Sequence, residues 1–193
     1  ETVNNPEDIS MGTRHVPFSK TLYIERDDFN ENPPKGYFRL IPGGEVRLKH
    51  AYFIRHQSAI KDDDTGEIKE IHCTYDPQTR GGDAKDGRKV KGTIHFVSAV
   101  QAFDAEVRLY EYLFNTPNPG DEGDGLDFKQ KINPDSLTVL KGCKMEPNLA
   151  KAEPGSRFQF LRHGYFCVDS VDSKPGAPVF NRIVTLKDSW KKK

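Results

Sequence analysis

The stretch RFQFLRHGYFCVD, residues 157–169, begins as a half-buried strand and then loses its step. Phe158 and Phe160 alternate with Arg157 and Gln159, as they must where successive side chains point to opposite faces. The same count carries Arg162 onto the phenylalanine face, with Gly164, Phe166 and Val168 beyond it and Tyr165 and Cys167 on the other side. A guanidinium in line with buried rings, two residues before a glycine, does not fit a straight strand.

Period-two alternation recurs along the whole chain. KTLYIER (20–26), EVRLKHAYFIRH (45–56), EIHCTYD (70–76), KVKGTIHFVS (89–98), SLTVL (136–140) and NRIVTLKD (181–188) all read as short strands. This is the pattern of an all-β sandwich or barrel. DDTGE (63–67), EPGS (153–156) and SKPGAP (173–178) have the turn chemistry to close hairpins, since glycine supplies positive φ and proline presets its own. In FDAEVRLYEYLF (103–114), helical spacing of Val107, Tyr110 and Phe114 competes with alternation of Val107, Leu109 and Leu113. Its branched and aromatic residues favour a strand. A short helical turn is expected at LDFKQKI (126–132), stopped before Pro134. Seven or more strands in 193 residues suggest two barrels, with one large barrel as the competing architecture.

Charge is neutral in total, with 29 Lys and Arg against 29 Asp and Glu, so no global basic field announces a polyanion. The signs are segregated nonetheless. Between Lys35 and His56 five basic residues face Glu45 alone, and between Arg80 and Lys91 five face Asp83 and Asp86. KDDDTGEIKE (61–70) and PGDEGDGLD (119–127) are acidic. Cys73, Cys143 and Cys167 are odd in number and widely spaced, which suits a reducing compartment better than a disulfide framework. No signal peptide or bilayer-spanning apolar run occurs, so a membrane partner is not expected. The start at Glu1, without methionine, is expected of a piece of something longer.

Catalytic templates are missing: G-x-S-x-G, H-E-x-x-H, the phosphate-binding P-loop and G-x-G-x-x-G all fail to occur. No C-x-x-C stands to hold zinc, and His163 with Cys167 is too sparse a pair, so no metal and no catalytic residue is expected. The informative stretch is KGYFRLIPGGEVRLKHAYFIR (35–55), which sets Tyr37, Phe38, Tyr52 and Phe53 among basic residues. Single-stranded nucleic acid needs that mixture, cations for phosphates and flat groups for splayed bases. An amphipathic strand pair with solvated cations accounts for it equally well.

FRLIPGGEVRLKHAYFIR, CTYDPQTR, DGRKVKGTIHFVSA, EVRLYEYLF, INPDSL, FQFLRHGYFCVD and VFNRIVTLKDSW, in this order, resemble the C-terminal anticodon-binding region of bacterial glutaminyl-tRNA synthetases, from about Gly12 to Trp190. The resemblance implies an all-β fold of two six-stranded β-barrels with exchanged N-terminal strands. The distal barrel would span 28–103, and the proximal one 10–27 with 104–190. Residues 1–9 would be a remnant of an upstream connector and 191–193 a tail. The family's Rossmann catalytic domain, with its ATP motifs, has no counterpart in these residues. The resemblance therefore implies a cytoplasmic, monomeric tRNA reader with no cofactor of its own. ATP would belong to the full-length ligase, and the partners would be glutamine tRNA and the upstream catalytic domain.

In the family the pyrimidine-U-G anticodon is splayed, each base entering its own pocket. Motif by motif, the resemblance assigns Gln159 and Arg162 to the middle U, Arg39 to the third base, and Arg47 to the first base and its phosphate, with Lys49 nearby. Gln159 and Arg162 fall on opposite faces of a straight strand, so they share a base only if the chain bulges or turns between them, and Gly164 supplies the freedom. Two positions depart from the family: Phe38 stands where a basic residue is usual, and Phe96 where a tryptophan is. Related barrels in glutamyl enzymes, which read pyrimidine-U-C, are the nearest alternative reading. A β-barrel that docks a protein partner without reading any anticodon is the alternative from another class.

Overall fold

The computed structural model describes residues 1–121, 123 and 125–186. It is all-β, its helical segments being short 3-10 turns. No helix among the described residues is long and apolar enough to cross a membrane. The chain forms two compact units, Glu1–Gln101 and a second that begins at Ala102.

In the first unit lie β1 (Thr2–Val3), β2 (Thr13–Arg14), β3 (Leu22–Tyr23), β4 (Glu45–Leu48), β5 (Phe53–Lys61), β6 (Ile68–Asp76), β7 (Thr93–Ile94) and β8 (Val97–Ser98). The principal sheet has the order β6-β5-β4-β7, with β4 and β7 parallel, while β1–β2 and β3–β8 form separate antiparallel ribbons. Residues 10–27 thus make their β3 ladder to β8 and fall in the first compact unit. The β5–β6 hairpin turns through DDTGE as its composition requires. Asp62 accepts from the backbone N–H groups of Asp64 and Thr65, and Gly66 takes φ 69°. Leu40, Val46, Leu48, Ile54, Ile94 and Phe96 make the core. Phe96, in the usual tryptophan position, is fully buried and has Phe18 edge-on at 6.0 Å.

The second unit holds β9 (Phe103–Tyr110), β10 (Leu137–Met145), β11 (Arg157–Phe160), β12 (Gly164–Val168) and β13 (Val179–Val184) in one sheet of order β10-β9-β13-β12-β11. Only β9 and β13 run parallel. The ambiguous 103–114 segment is a strand over its first eight residues, with Ala105 and Val107 buried, because alternation matches the sheet's inner face. Leu113, which the same alternation would have continued, lies past the strand and is exposed. A 3-10 turn at Phe128–Lys131 begins with a capping box between Asp127 and Gln130, where the short helical turn is expected. SKPGAP closes the β12–β13 hairpin. EPGS does not close one. It leads from a 3-10 turn into β11, and β10 and β11 occupy opposite edges of the sheet because β9, β13 and β12 lie between them.

Phe160 stacks on Phe166 at 4.4 Å and both pack with Phe180, so the aromatic alternation of 158–166 is the hydrophobic seam of this unit. Burying fully a ring such as Phe166 or Phe180 contributes about 1.5–3 kcal/mol. The described ladders form open sheets and ribbons; in the first unit β3, β7 and β8 are two-residue strands.

Candidate nucleic-acid interface

In the second unit, RFQFLRHGYFCVD is a hairpin. β11 pairs antiparallel with β12, Gln159 opposite Tyr165 and Phe160 opposite Gly164, leaving Leu161, Arg162 and His163 as a three-residue loop. The His163 N–H donates to the Phe160 carbonyl at 3.0 Å. The sequence's lost step is therefore a complete reversal of the chain. Arg162 sits at φ 71°, a left-handed conformation that costs a non-glycine residue roughly 1–2 kcal/mol. That backbone takes its side chain off the buried phenylalanine face, and Gln159 and Arg162 are both exposed at the tip end of one hairpin. Gly164 is required for two reasons. Its φ is 135°, and a Cβ there would come within 2.3 Å of the Val184 carbonyl on β13.

In the first unit the two expected arginines are set by ion pairs. Arg39 donates from Nη1 to the Asp27 carbonyl at 3.0 Å and holds Nε 3.6 Å from the fully buried Asp28 carboxylate. A buried carboxylate is stable only beside such a charge. A guanidinium carries five donors, so these two contacts leave some for a further acceptor. Arg47, on β4, lies over the Phe53 ring at 4.4 Å and is held by the Gly82 carbonyl and by Asp83 at 2.6 Å. Lys49 is half-buried, and its ammonium has no ion pair among the described residues. Arg47 and Lys49 share a shallow cavity of about 370 Å³ with Glu1, His50, Gly81 and Thr93.

The 80–91 segment is less basic in space than in sequence. Arg88 binds Glu45, Asp76 and Asp86 together. Hydrogen bonds from Arg88 hold the Asp76 and Asp86 carboxyls below the usual carboxylate range, through its side chain first at Asp76 and its backbone N–H first at Asp86. Sequence reasoning missed the acidic partners of Arg39 and Arg47. Asp83 was visible as one of two acids in a loop otherwise rich in cations; the pairing of Arg39 with Asp28 had no local signal.

Small all-β units that present cations, rings and a polar hairpin tip define a class of nucleic-acid-binding modules. The comparisons narrow the class. Two family models, both described as tRNA synthetases class I (E and Q), anti-codon binding domain, match residues 1–76 and 93–169. The chain belongs to this family of anticodon-binding domains. It is similar to the glutamine–tRNA ligases of Pseudomonas syringae pv. tomato, 57% identical over 180 residues, and Pseudomonas putida, 59% over 180, each alignment covering 93% of this chain and 31% of the relative. That of Nitrobacter winogradskyi is 52% identical over 192 residues, 100% of this chain and 33% of the relative. The chain spans about a third of the length of the curated relatives it matches.

Proposed function

We propose that this chain is the anticodon-reading part of a glutamine–tRNA ligase and recognises the pyrimidine-U-G anticodon of glutamine tRNA. The observation that carries the reading is the β11–β12 hairpin. It carries an amide and a guanidinium three residues apart near one tip, which supports the reading that Gln159 and Arg162 hydrogen-bond a single uracil. Arg39 reads the third base with the donors that Asp27 and Asp28 leave over. Arg47 takes the first base and its phosphate, exchanging Asp83 for the RNA, and Lys49 adds a second cation beside it.

In this reading aminoacylation and ATP belong to the catalytic domain upstream in the complete ligase, which works in the cytoplasm as a monomer. The chain alone holds tRNA and charges nothing. The test is a binding titration of an anticodon stem-loop against the same stem-loop with its middle U replaced by A. The expected result is a loss of about tenfold or more, the roughly 1–3 kcal/mol of a bidentate base contact. Equal affinities reject the reading.

A further inference from the structure

We propose that Phe38 is a stacking platform for an unpaired nucleobase of the bound RNA, an inference that rests on the anticodon-reading function above. A single exposed apolar side chain is ordinary on a protein surface. Phe38 differs in how its backbone is held. Both neighbours bond the same carbonyl, the Tyr37 hydroxyl donating to Asp27 O at 2.9 Å and Arg39 Nη1 to it at 3.0 Å. Leu40 N–H donates to Asp28 O at 2.9 Å. Behind Phe38 the chain passes so closely at Gly92 that a Cβ there would lie 1.7 Å from the Phe38 carbonyl oxygen. The backbone is thus clamped on both sides while the residue is 58% exposed.

With the backbone held in advance only the ring's own torsions remain to be ordered when a base lies on it, so more of the stacking free energy appears as affinity. Electrostatics point to the same ligand. Lys91 Nζ lies 5.7 Å from the ring centroid, and it has no ion pair among the described residues. With the ammonium over one face of the ring, the other face suits a base whose adjoining phosphate the lysine can reach. An apolar protein partner would gain nothing from that charge.

The test compares the chain with its Phe38→Leu, Phe38→Tyr and Phe38→Trp variants for binding to one pyrimidine-U-G stem-loop, with thermal melts confirming that each variant folds. Leucine keeps apolar volume without a π face, so Phe38→Leu should weaken binding about tenfold, while tyrosine and tryptophan keep the parent affinity. The Phe38→Trp protein should also show an emission change on adding RNA beyond that of the parent, which carries Trp190 in common. Parent-like binding by Phe38→Leu, or no added emission change in Phe38→Trp, overturns the platform and leaves the anticodon reading standing. A parent that does not bind the pyrimidine-U-G stem-loop overturns both.

Discussion

The two units place their candidate recognition side chains by different means. In the second, backbone geometry does it. A three-residue loop, a left-handed Arg162 and a glycine that β13 permits no side chain bring Gln159 and Arg162 to one tip. In the first, charge does it: Arg39 and Arg47 are each drawn into position by a carboxylate, one buried and one on a loop. The lesson is that a guanidinium set by an ion pair serves two roles, so its removal changes stability and recognition together. One set by the backbone separates them.

The largest effect should come from attacking the backbone device. Gly164→Val forces both a disfavoured φ and a collision with the Val184 carbonyl, and should cost about 3 kcal/mol or more in urea unfolding of the second unit. Next comes the contrast between the arginines. Arg39→Ala strips a partner from buried Asp28 and should destabilise by about 1–2 kcal/mol, a value kept low because the guanidinium is partly solvated. Arg162→Gly relieves a left-handed conformation and should cost less stability than Arg39→Ala while weakening stem-loop binding. If both arginines lose stability equally, the contrast between the units fails.

A smaller effect is expected at the loop acid. Asp83→Asn releases Arg47 and should tighten stem-loop binding about two- to threefold, the scale of an exposed ion pair. Arg47→Ala should lower the salt slope of binding by about one. Smallest is the acid response of the β5–β6 turn. A hydrogen bond from Lys69, with those of the turn's backbone N–H groups, holds the Asp62 carboxyl at about 2. Because the folded value is depressed, this contribution to stability is present above the unfolded value near 3.9 and is lost as pH falls towards about 2. Lys69→Met should raise the Asp62 titration midpoint, followed by carboxyl NMR, towards the ordinary carboxylate range.

Most of the strands were legible in the sequence because their alternation is strict. Val107 and Leu109 gave β9, and Phe158, Phe160 and Phe166, spaced by even numbers of residues, gave the seam of the second unit. The break at Arg162–Gly164 was legible as a fault in that alternation, but its form was not, since a bulge and a full reversal leave the same local mark. Pairing order was hidden as well. The EPGS turn has hairpin chemistry, yet β11 pairs with β12 through the three-residue loop that follows it, and β10 is placed at the opposite edge by its long-range pairing with β9.

At the candidate site, residue identities came from motif likeness and their environments did not. Basic runs counted along the chain ignore partners at a distance. Asp83 lies 36 residues from Arg47, and Arg88 alone engages three carboxylates.

The most direct test of the account is a titration of the chain with two anticodon stem-loops that differ only in the third base, G or C. If Arg39 reads that base, the G form should bind about tenfold or more tightly. Equal affinity for the two, or preference for C, contradicts the assignment to glutamine tRNA.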